Sequence, residues 1–202
     1  MIYTPQQFIA HYAPYAVACM QQTKFPASVS LAQAALETGW GKAAIQNNLF
    51  GVKADSSWTG AKQLVVTTEI LSDANYPFPE VISCTKRADG KYNYVCKDWF
   101  RVYLNEADSF ADHAQFLKVN SNYKDIEDML AQWVDGDAEK VCDALEHDHY
   151  ATGVGYANTL KSIIHYFKLN QYDDAALTPH LVMNNIPKGD ENLQANGNNG
   201  IG

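Results

Sequence analysis

A glutamate at the end of a helix-forming stretch is the side chain of this sequence best suited to acid–base chemistry. Residues 31–36 contain three alanines and two leucines, which are good helix formers, and Gly39 predicts a helix end two residues after Glu37. A carboxylate in the last turn meets the partial negative charge of the helix terminus, and Trp40 provides an apolar wall. Both effects raise the pKa of Glu37, as a general acid near neutral pH requires.

Six short segments occur in order along the chain, and the first of them contains the glutamate. They are ALETGWG at 35–41 around the glutamate itself, NNLFGVK at 47–53, WTG at 58–60, TTE at 67–69, FRVY at 100–103 and YAT at 150–152. In this combination the chain resembles the glucosaminidase family of peptidoglycan hydrolases, glycoside hydrolase family 73, from about residue 26 to about residue 167. Each segment alone would be a weak signal.

The resemblance implies a pair of acidic residues. Glu37 matches the family's catalytic glutamate, so we expect it to protonate the leaving oxygen of a glycosidic bond. Glu69 matches the second acidic residue and would activate a water or stabilise the cationic sugar electrostatically. Asp73 and Glu80 are the substitutes if the register of the β-lobe differs. The sequence leaves inverting, retaining and substrate-assisted routes open.

A tyrosine is the third catalytic residue that the resemblance implies. Tyr150 matches the tyrosine of the family's Tyr-Ala-Thr-Asp segment, although Gly153 stands where the family has aspartate. We expect Tyr150 to line the cleavage site and to hold the N-acetyl group or a water. Tyr156 follows six residues later and ranks second for this role.

Aromatic side chains are candidates for sugar binding, because pyranose rings stack their C–H faces on aromatic planes. The candidates are Trp40, Phe50, Trp58 and Trp99, of which Trp40 and Trp99 suit the core equally well. Asn48 and the backbone around Phe50 would shape the floor beside Glu37. Gly51 would let a sugar approach the backbone closely.

Composition and charge exclude several classes of partner. The chain has 202 residues, 47% of them hydrophobic, and a formal charge of −8. It contains no basic run, so we expect no nucleic acid, and no apolar stretch long enough to insert in a membrane. Cysteine and histidine show no ligand spacing, so no metal or cofactor is expected. We expect a monomer.

The first twenty residues lack the basic segment and the apolar run of a leader peptide. The resemblance places the action of the protein in the periplasm or cell wall. We therefore expect delivery by phage lysis, by a secretion system or after removal of an export signal. As a secreted effector, the protein would need a cognate immunity protein as a second partner besides the peptidoglycan glycan strands.

Two cysteines flank a predicted hairpin turn. Cys84 and Cys96 lie on either side of ADGK at 88–91, so we expect a disulfide between them. Cys19 and Cys142 fall on apolar helical faces and are expected to be buried thiols, with a second bridge left open. His147-Asp148-His149 is expected to be a polar surface stretch near a helix end.

The coarse pattern is helices, then strands, then helices. Helices are expected at 4–22, from Pro26 through Glu37, at 42–46, and at 106–119, 124–133, 137–147 and 154–169, with strands at 63–70, 79–85 and 92–103. This pattern alone gives a mixed α+β, mostly helical fold. The strands predict a small antiparallel β-lobe at about 49–103, and the resemblance implies a lysozyme-like domain over 1–170. The Asn/Gly-rich composition of 171–202 predicts a poorly ordered tail or a linker.

Three functions remain in competition at this stage. The resemblance favours an endo-β-N-acetylglucosaminidase that cuts the β-1,4 bond after N-acetylglucosamine. The same fold would also serve a muramidase or lytic transglycosylase that cuts after N-acetylmuramic acid. A non-catalytic glycan-binding or assembly protein is the alternative from another class, and the intact motif around Glu37 argues against it.

Overall fold

The computed structural model describes residues 3–119, 123–131, 137–150 and 155–174. The elements in chain order are α1 (Pro5–Thr23), α2 (Ala27–Thr38), β1 (Lys62–Leu71), β2 (Glu80–Lys86), β3 (Tyr92–Arg101), α3 (Glu106–Val119), α4 (Lys124–Ala131), α5 (Ala138–His147), α6 (Tyr156–Phe167) and a short 3-10 helix (Leu169–Tyr172). The expected α+β, mostly helical lysozyme-like architecture with a small antiparallel β-lobe is confirmed. Among the described helices, none has the length and apolar character needed to cross a membrane.

Helix α2 is the centre of the helical part. Every residue from Ala27 to Ala35 is buried, and the helix packs against α1, α6 and the 3-10 helix. Its first turn has no side-chain cap of its own, and the carboxylate of Asp173 accepts the backbone N–H of Ser28 at 2.8 Å instead. The helix ends at Gly39, whose φ of 56° suits glycine. Glu37 therefore lies in the last turn, as predicted.

The three strands form an antiparallel sheet in the order β1-β3-β2. The register sets Glu69 opposite Tyr94 and Thr67 opposite Cys96, so these four side chains share one face. Arg101, at the end of β3, joins the sheet to the helices. Its Nη1 donates to both carboxylate oxygens of Asp112 on α3, at 2.9 and 2.8 Å.

The short helix expected at 42–46 is not formed. Residues 39–43 make turns, in which the Ala43 N–H reaches back to the Thr38 carbonyl at 2.9 Å. Gln46 and Asn47 have φ values of 42° and 64°, which a right-handed helix cannot contain. The other elements begin and end within two residues of the prediction, where the structure describes them. The segment 132–133 of the expected fourth long helix and residues 175–202 of the expected tail lie outside the described residues, whereas 171–174 are described and include the end of the 3-10 helix.

The predicted disulfide between Cys84 and Cys96 is wrong, since all four cysteines are free thiols. The hairpin register explains why: Cys84 lies opposite Tyr94, whereas Cys96 lies opposite Val81, with an irregularity between Val81 and Ser83. The two cysteines are offset along the hairpin, with Cys96 buried and Cys84 exposed. Cys19 and Cys142 are buried thiols, as expected, and no second bridge forms.

Candidate active site

Glu37 combines access to solvent with a partly desolvated carboxyl group. The residue is exposed at the end of α2, yet the surrounding protein removes enough water that burial raises the pKa of its carboxyl group. A hydrogen bond from the Tyr156 hydroxyl to Oε1, at 3.1 Å, lowers the pKa and only partly offsets that increase. A carboxyl group in this setting keeps its proton closer to neutral pH than an ordinary glutamate does.

Tyr156 is held in place from two sides. It is the first residue of α6, and both carboxylate oxygens of Glu146 accept backbone N–H groups there, from Gly155 and Ala157 at 2.9 Å each. The side-chain amide of Gln33, on α2, donates to the Tyr156 oxygen at 3.2 Å. The phenol that contacts Glu37 is thus fixed by the helix start and by a neighbouring side chain.

Tyr150 lies beside Tyr156 and makes a different contact. The two ring centroids are 5.7 Å apart, and the Tyr150 hydroxyl is 3.2 Å from Nε2 of His113. His113 is fully buried, and burial lowers its pKa to about 3, so the imidazole is neutral. The hydroxyl that bonds to Glu37 therefore belongs to Tyr156, the tyrosine that the sequence ranks second, and the role of Tyr150 in lining the cleavage site stays a prediction. Gly153 lies outside the described residues.

Glu69 lies in a charged cluster on the β-lobe. The ammonium of Lys53 is 2.7 Å from Oε1 of Glu69 and 3.0 Å from Oδ2 of Asp98. Burial would lower the pKa of Lys53, but the hydrogen bonds to the two carboxylates outweigh it and raise that pKa. Lys53 therefore stays cationic throughout the range in which carboxylates titrate, and Glu69 has a permanent counter-ion.

The two substitutes for Glu69 have local contacts of their own. Asp73 accepts the backbone N–H of Asn75 at 2.8 Å, as in a turn. Glu80 is exposed and pairs with Lys97 at 2.8 Å, across the hairpin. The strand register therefore leaves Glu69 beside Lys53 and Asp98. Glu69 remains the proposed second acidic residue, ahead of Asp73 and Glu80.

Phe50 is not a sugar-stacking surface. Only 4% of it is exposed, and its ring stacks on His113 with centroids 3.9 Å apart and planes at 6°. Asn48 is also buried. Its amide group donates to the carbonyls of Val52 and Arg101 at 2.9 Å each and accepts the Val52 N–H at 3.1 Å. Asn48 thus shapes a loop through the backbone and presents no side chain to a ligand.

The tryptophans differ in how much surface they leave for a ligand. Trp58 is partly exposed, donates its indole N–H to the Ala61 carbonyl at 2.9 Å and packs on the Arg101 guanidinium at 4.6 Å. Trp40 is only partly buried, but its ring packs between helices against Phe8 and Phe167. Trp58 is therefore the better candidate for sugar contact. Gly51 is exposed, has a φ of 61° and has no atom near the position of a side chain, as expected for a backbone open to a ligand.

Sequence reasoning missed three side chains at this site: Gln33, Lys53 and His113. Gln33 lies four residues before Glu37, and this spacing places both on one face of α2. That spacing was the available signal for Gln33. Lys53 ends the NNLFGVK segment, but nothing local pairs it with a strand 16 residues later, and His113 carries no local signal at all.

The His147-Asp148-His149 stretch is the nearest approach to a metal-ligand set in the described part of the chain. Nδ1 of His147 lies 2.9 Å from Oδ2 of Asp125 and 3.3 Å from Oδ1 of Asp148, and the three groups lie within 4.8 Å of one another. His147 and Asp125 are exposed, and their contacts link the end of α5 to α4. The arrangement is that of a surface ion-pair cluster.

Comparison with known proteins identifies the family of the chain. A family model described as "Glucosaminidase: Mannosyl-glycoprotein endo-beta-N-acetylglucosaminidase" matches residues 13–169. The peptidoglycan hydrolase FlgJ of Vibrio parahaemolyticus is 35% identical over 167 residues, which cover 79% of this chain and 46% of that protein. The chain thus spans less than half the length of this curated relative.

Solved structures give the same result. The C-terminally truncated glycoside hydrolase domain of FlgJ from Salmonella typhimurium has a TM-score of 0.59 and 30% identity, covering 82% of this chain and 98% of that domain. A peptidoglycan hydrolase mutant from Sphingomonas sp. A1 has a TM-score of 0.60 and 30% identity, with coverages of 83% and 97%. With a family match over most of its length and these structural neighbours, the chain belongs to the glucosaminidase family of glycoside hydrolases.

Proposed function

We propose that this domain hydrolyses the glycan strands of peptidoglycan as an endo-β-N-acetylglucosaminidase, with Glu37 as the general acid. The observation that carries the proposal is the environment of Glu37, which is open to solvent while burial raises the pKa of its carboxyl group. Relatives over most of the chain are named peptidoglycan hydrolases, which supports the substrate class.

In this proposal the proton comes from the helical part of the molecule. Glu37 donates it to the oxygen of the β-1,4 bond as the bond after N-acetylglucosamine breaks. The Tyr156 hydroxyl donates a hydrogen bond to Oε1 of Glu37, so Oε2 is the oxygen that would carry the proton and face the substrate. Tyr150, next to Tyr156, would line the cleavage site and hold the N-acetyl group or a water.

Negative charge comes from the β-lobe. Glu69 would stabilise the cationic sugar at the transition state or orient a water, with Lys53 and Asp98 fixing its position. Inverting, retaining and substrate-assisted routes differ in the anomer of the first product. Proton NMR of the freshly formed reducing end, recorded before mutarotation, separates inversion from the other two routes.

Mass spectrometry of digested peptidoglycan tests the substrate assignment. The expected products end in reducing N-acetylglucosamine, and Glu37→Gln protein gives none. Products ending in N-acetylmuramic acid, or in its anhydro form, would instead assign a muramidase or a lytic transglycosylase. A folded wild-type protein that binds walls and releases nothing would be a glycan-binding or assembly protein.

The same proposal covers location and partners. A peptidoglycan hydrolase acts in the periplasm or cell wall, and we infer delivery by phage lysis, a secretion system or an export signal. For a secreted effector, an immunity protein made by the producer should block wall clearing when the two are mixed. Light scattering of the purified domain should give the mass of one chain, 22.5 kDa.

A further inference from the structure

We propose that Gln33 is a positioning residue for the acid: its side-chain amide fixes the direction of the Tyr156–Glu37 hydrogen bond and, with it, the oxygen of Glu37 that carries the proton. This inference rests on the proposed role of Glu37. It assigns a function to a buried polar side chain that the family resemblance and the proposed mechanism leave without one.

The geometry places three groups in a row. Gln33 and Glu37 lie one helical turn apart on α2, and Tyr156 begins α6, which packs against α2. The distance from the Gln33 Nε2 to the Tyr156 oxygen is 3.2 Å, and the distance from that oxygen to Oε1 of Glu37 is 3.1 Å. Gln33 and Tyr156 are 0% and 7% exposed, so little water competes for these hydrogen bonds.

The chemistry of the donors gives the row a direction. An amide nitrogen only donates, so the Tyr156 oxygen accepts from Gln33. A phenol has one hydrogen, and the remaining partner within reach in this row is Glu37. The hydroxyl therefore donates to Oε1 whether Glu37 is ionised or protonated. Because Oε1 is an acceptor in both states, the proton of the acid resides on Oε2.

Burial of Gln33 argues for a role beyond packing. Its Oε1 is buried and has no hydrogen-bond partner among the described residues. An unsatisfied polar atom in the interior costs stability, and an apolar side chain of similar length would avoid that cost. Its neighbours Ala32, Ala34 and Ala35 are all apolar and buried. A glutamine here is explained by what its amide nitrogen does to Tyr156.

The test is Gln33→Met, which keeps the length of the side chain and removes the donor. Without the amide, the Tyr156 hydroxyl is less strongly polarised and less well oriented towards Glu37. We expect kcat on peptidoglycan to fall about three- to tenfold. The alkaline limb of the kcat–pH profile should move to higher pH by about half a unit, because the Tyr156 bond lowers the pKa of Glu37.

A double-mutant cycle separates positioning from structure. If Gln33 acts through Tyr156, then on a Tyr156→Phe background Gln33→Met should change neither kcat nor the position of the alkaline limb of the kcat–pH profile. Ser30→Ala is the matched control, because Ser30 is another buried polar residue of α2, whereas the side-chain hydrogen bonds of Tyr156 among the described residues go to Gln33 and Glu37. It should leave both quantities at wild-type values. Gln33→Leu replaces the methionine variant if that variant does not fold by circular dichroism.

Two outcomes would overturn the inference. One is a folded Gln33→Met protein with wild-type kcat and an unchanged alkaline limb of the kcat–pH profile. The other is a Gln33→Met substitution that changes kcat and the limb as much on the Tyr156→Phe background as in the wild type. The proposed function fails separately, through a folded Glu37→Gln protein that still clears walls. Inactive Glu37→Gln together with unaffected Gln33→Met would reject the role of Gln33 alone.

Discussion

The two acidic residues of the candidate site stand in opposite electrostatic surroundings. Glu37, on the helical side, contacts a neutral phenol, and burial raises the pKa of its carboxyl group. Glu69, on the β-lobe, contacts the ammonium of Lys53 at 2.7 Å and shares it with Asp98. The helical side raises the pKa of its carboxyl group, whereas the carboxylate on the β-lobe is paired with a fixed ammonium group.

This difference supports the separate roles that we propose for these two chemically identical side chains. A general acid must hold a proton at working pH, whereas a group that stabilises a cationic sugar must be ionised. Burial next to neutral partners suits the first role, and a fixed cation that also orients the carboxylate suits the second. Replacing each carboxyl group and its partners in turn tests the two proposed roles.

Replacing Glu37, the proposed proton donor, should have the largest effect. Glu37→Gln keeps the shape of the side chain and its contact with Tyr156 but cannot donate a proton, so clearing of a cell-wall suspension should slow by about 10²-fold or more. Circular dichroism should show an unchanged fold. If the folded variant still clears walls, Glu37 is not the general acid, and the proposed division of roles between Glu37 and Glu69 is wrong.

Replacing the charged partner should have a smaller effect. Glu69→Ala and Glu69→Gln should each lower kcat by about tenfold to 10²-fold with little change in KM, because the charge matters most at the transition state. Glu80→Gln is the matched control on the same sheet, since Glu80 pairs with Lys97 at the exposed edge. Near-normal kcat in both Glu69 variants would make Glu69 a structural residue.

Removing the phenol should shift the pH profile. The hydrogen bond from Tyr156 lowers the pKa of Glu37, so Tyr156→Phe should let that pKa rise. The acid then keeps its proton to higher pH, and the alkaline limb of the kcat–pH profile moves upward while the maximal rate falls about tenfold. Tyr150→Phe, which loses a contact with His113 instead, should leave the limb nearer to its original position. Equal shifts in the two variants would contradict the geometry.

Replacing His113 should have the smallest effect on catalysis and should change the pH dependence of stability instead. This dependence tests how strongly the helical side excludes charge. Burial lowers the pKa of His113 to about 3, whereas the unfolded chain has the ordinary value of about 6.5. Between these values the unfolded state binds the extra proton, so this residue lowers the stability of the wild type as pH falls. In His113→Phe that part of the pH dependence, about 1.4 kcal/mol per pH unit, should be absent. Urea unfolding of both proteins at pH 7 and pH 5 measures it, and parallel curves would contradict the prediction.

Local signals in the sequence were sufficient for most of the elements and for the position of Glu37 in the last turn of its helix. Thr4 and Gln7 form the capping box at the start of α1, and the chain from Glu106 to Val119 is helical over the predicted range. Gly39 ends α2 where its conformational freedom indicates, and this places Glu37 in the last turn. Propensity, caps and periodicity act over a few residues, so the sequence alone determines their outcome.

Contacts between distant segments were decided only by the tertiary structure. Packing of α2 against α6 brings the hydroxyl of Tyr156, rather than that of Tyr150, into hydrogen-bond contact with Glu37 across 119 positions of sequence. The strand register separates Cys84 from Cys96, and burial beside His113 removes Phe50 from the surface. Such contacts depend on how helices and strands pack against one another, which no local pattern specifies. The sequence therefore placed Glu37, the proposed proton donor, at the end of a helix, while the fold determined which phenol, amide and cation surround the two carboxyl groups.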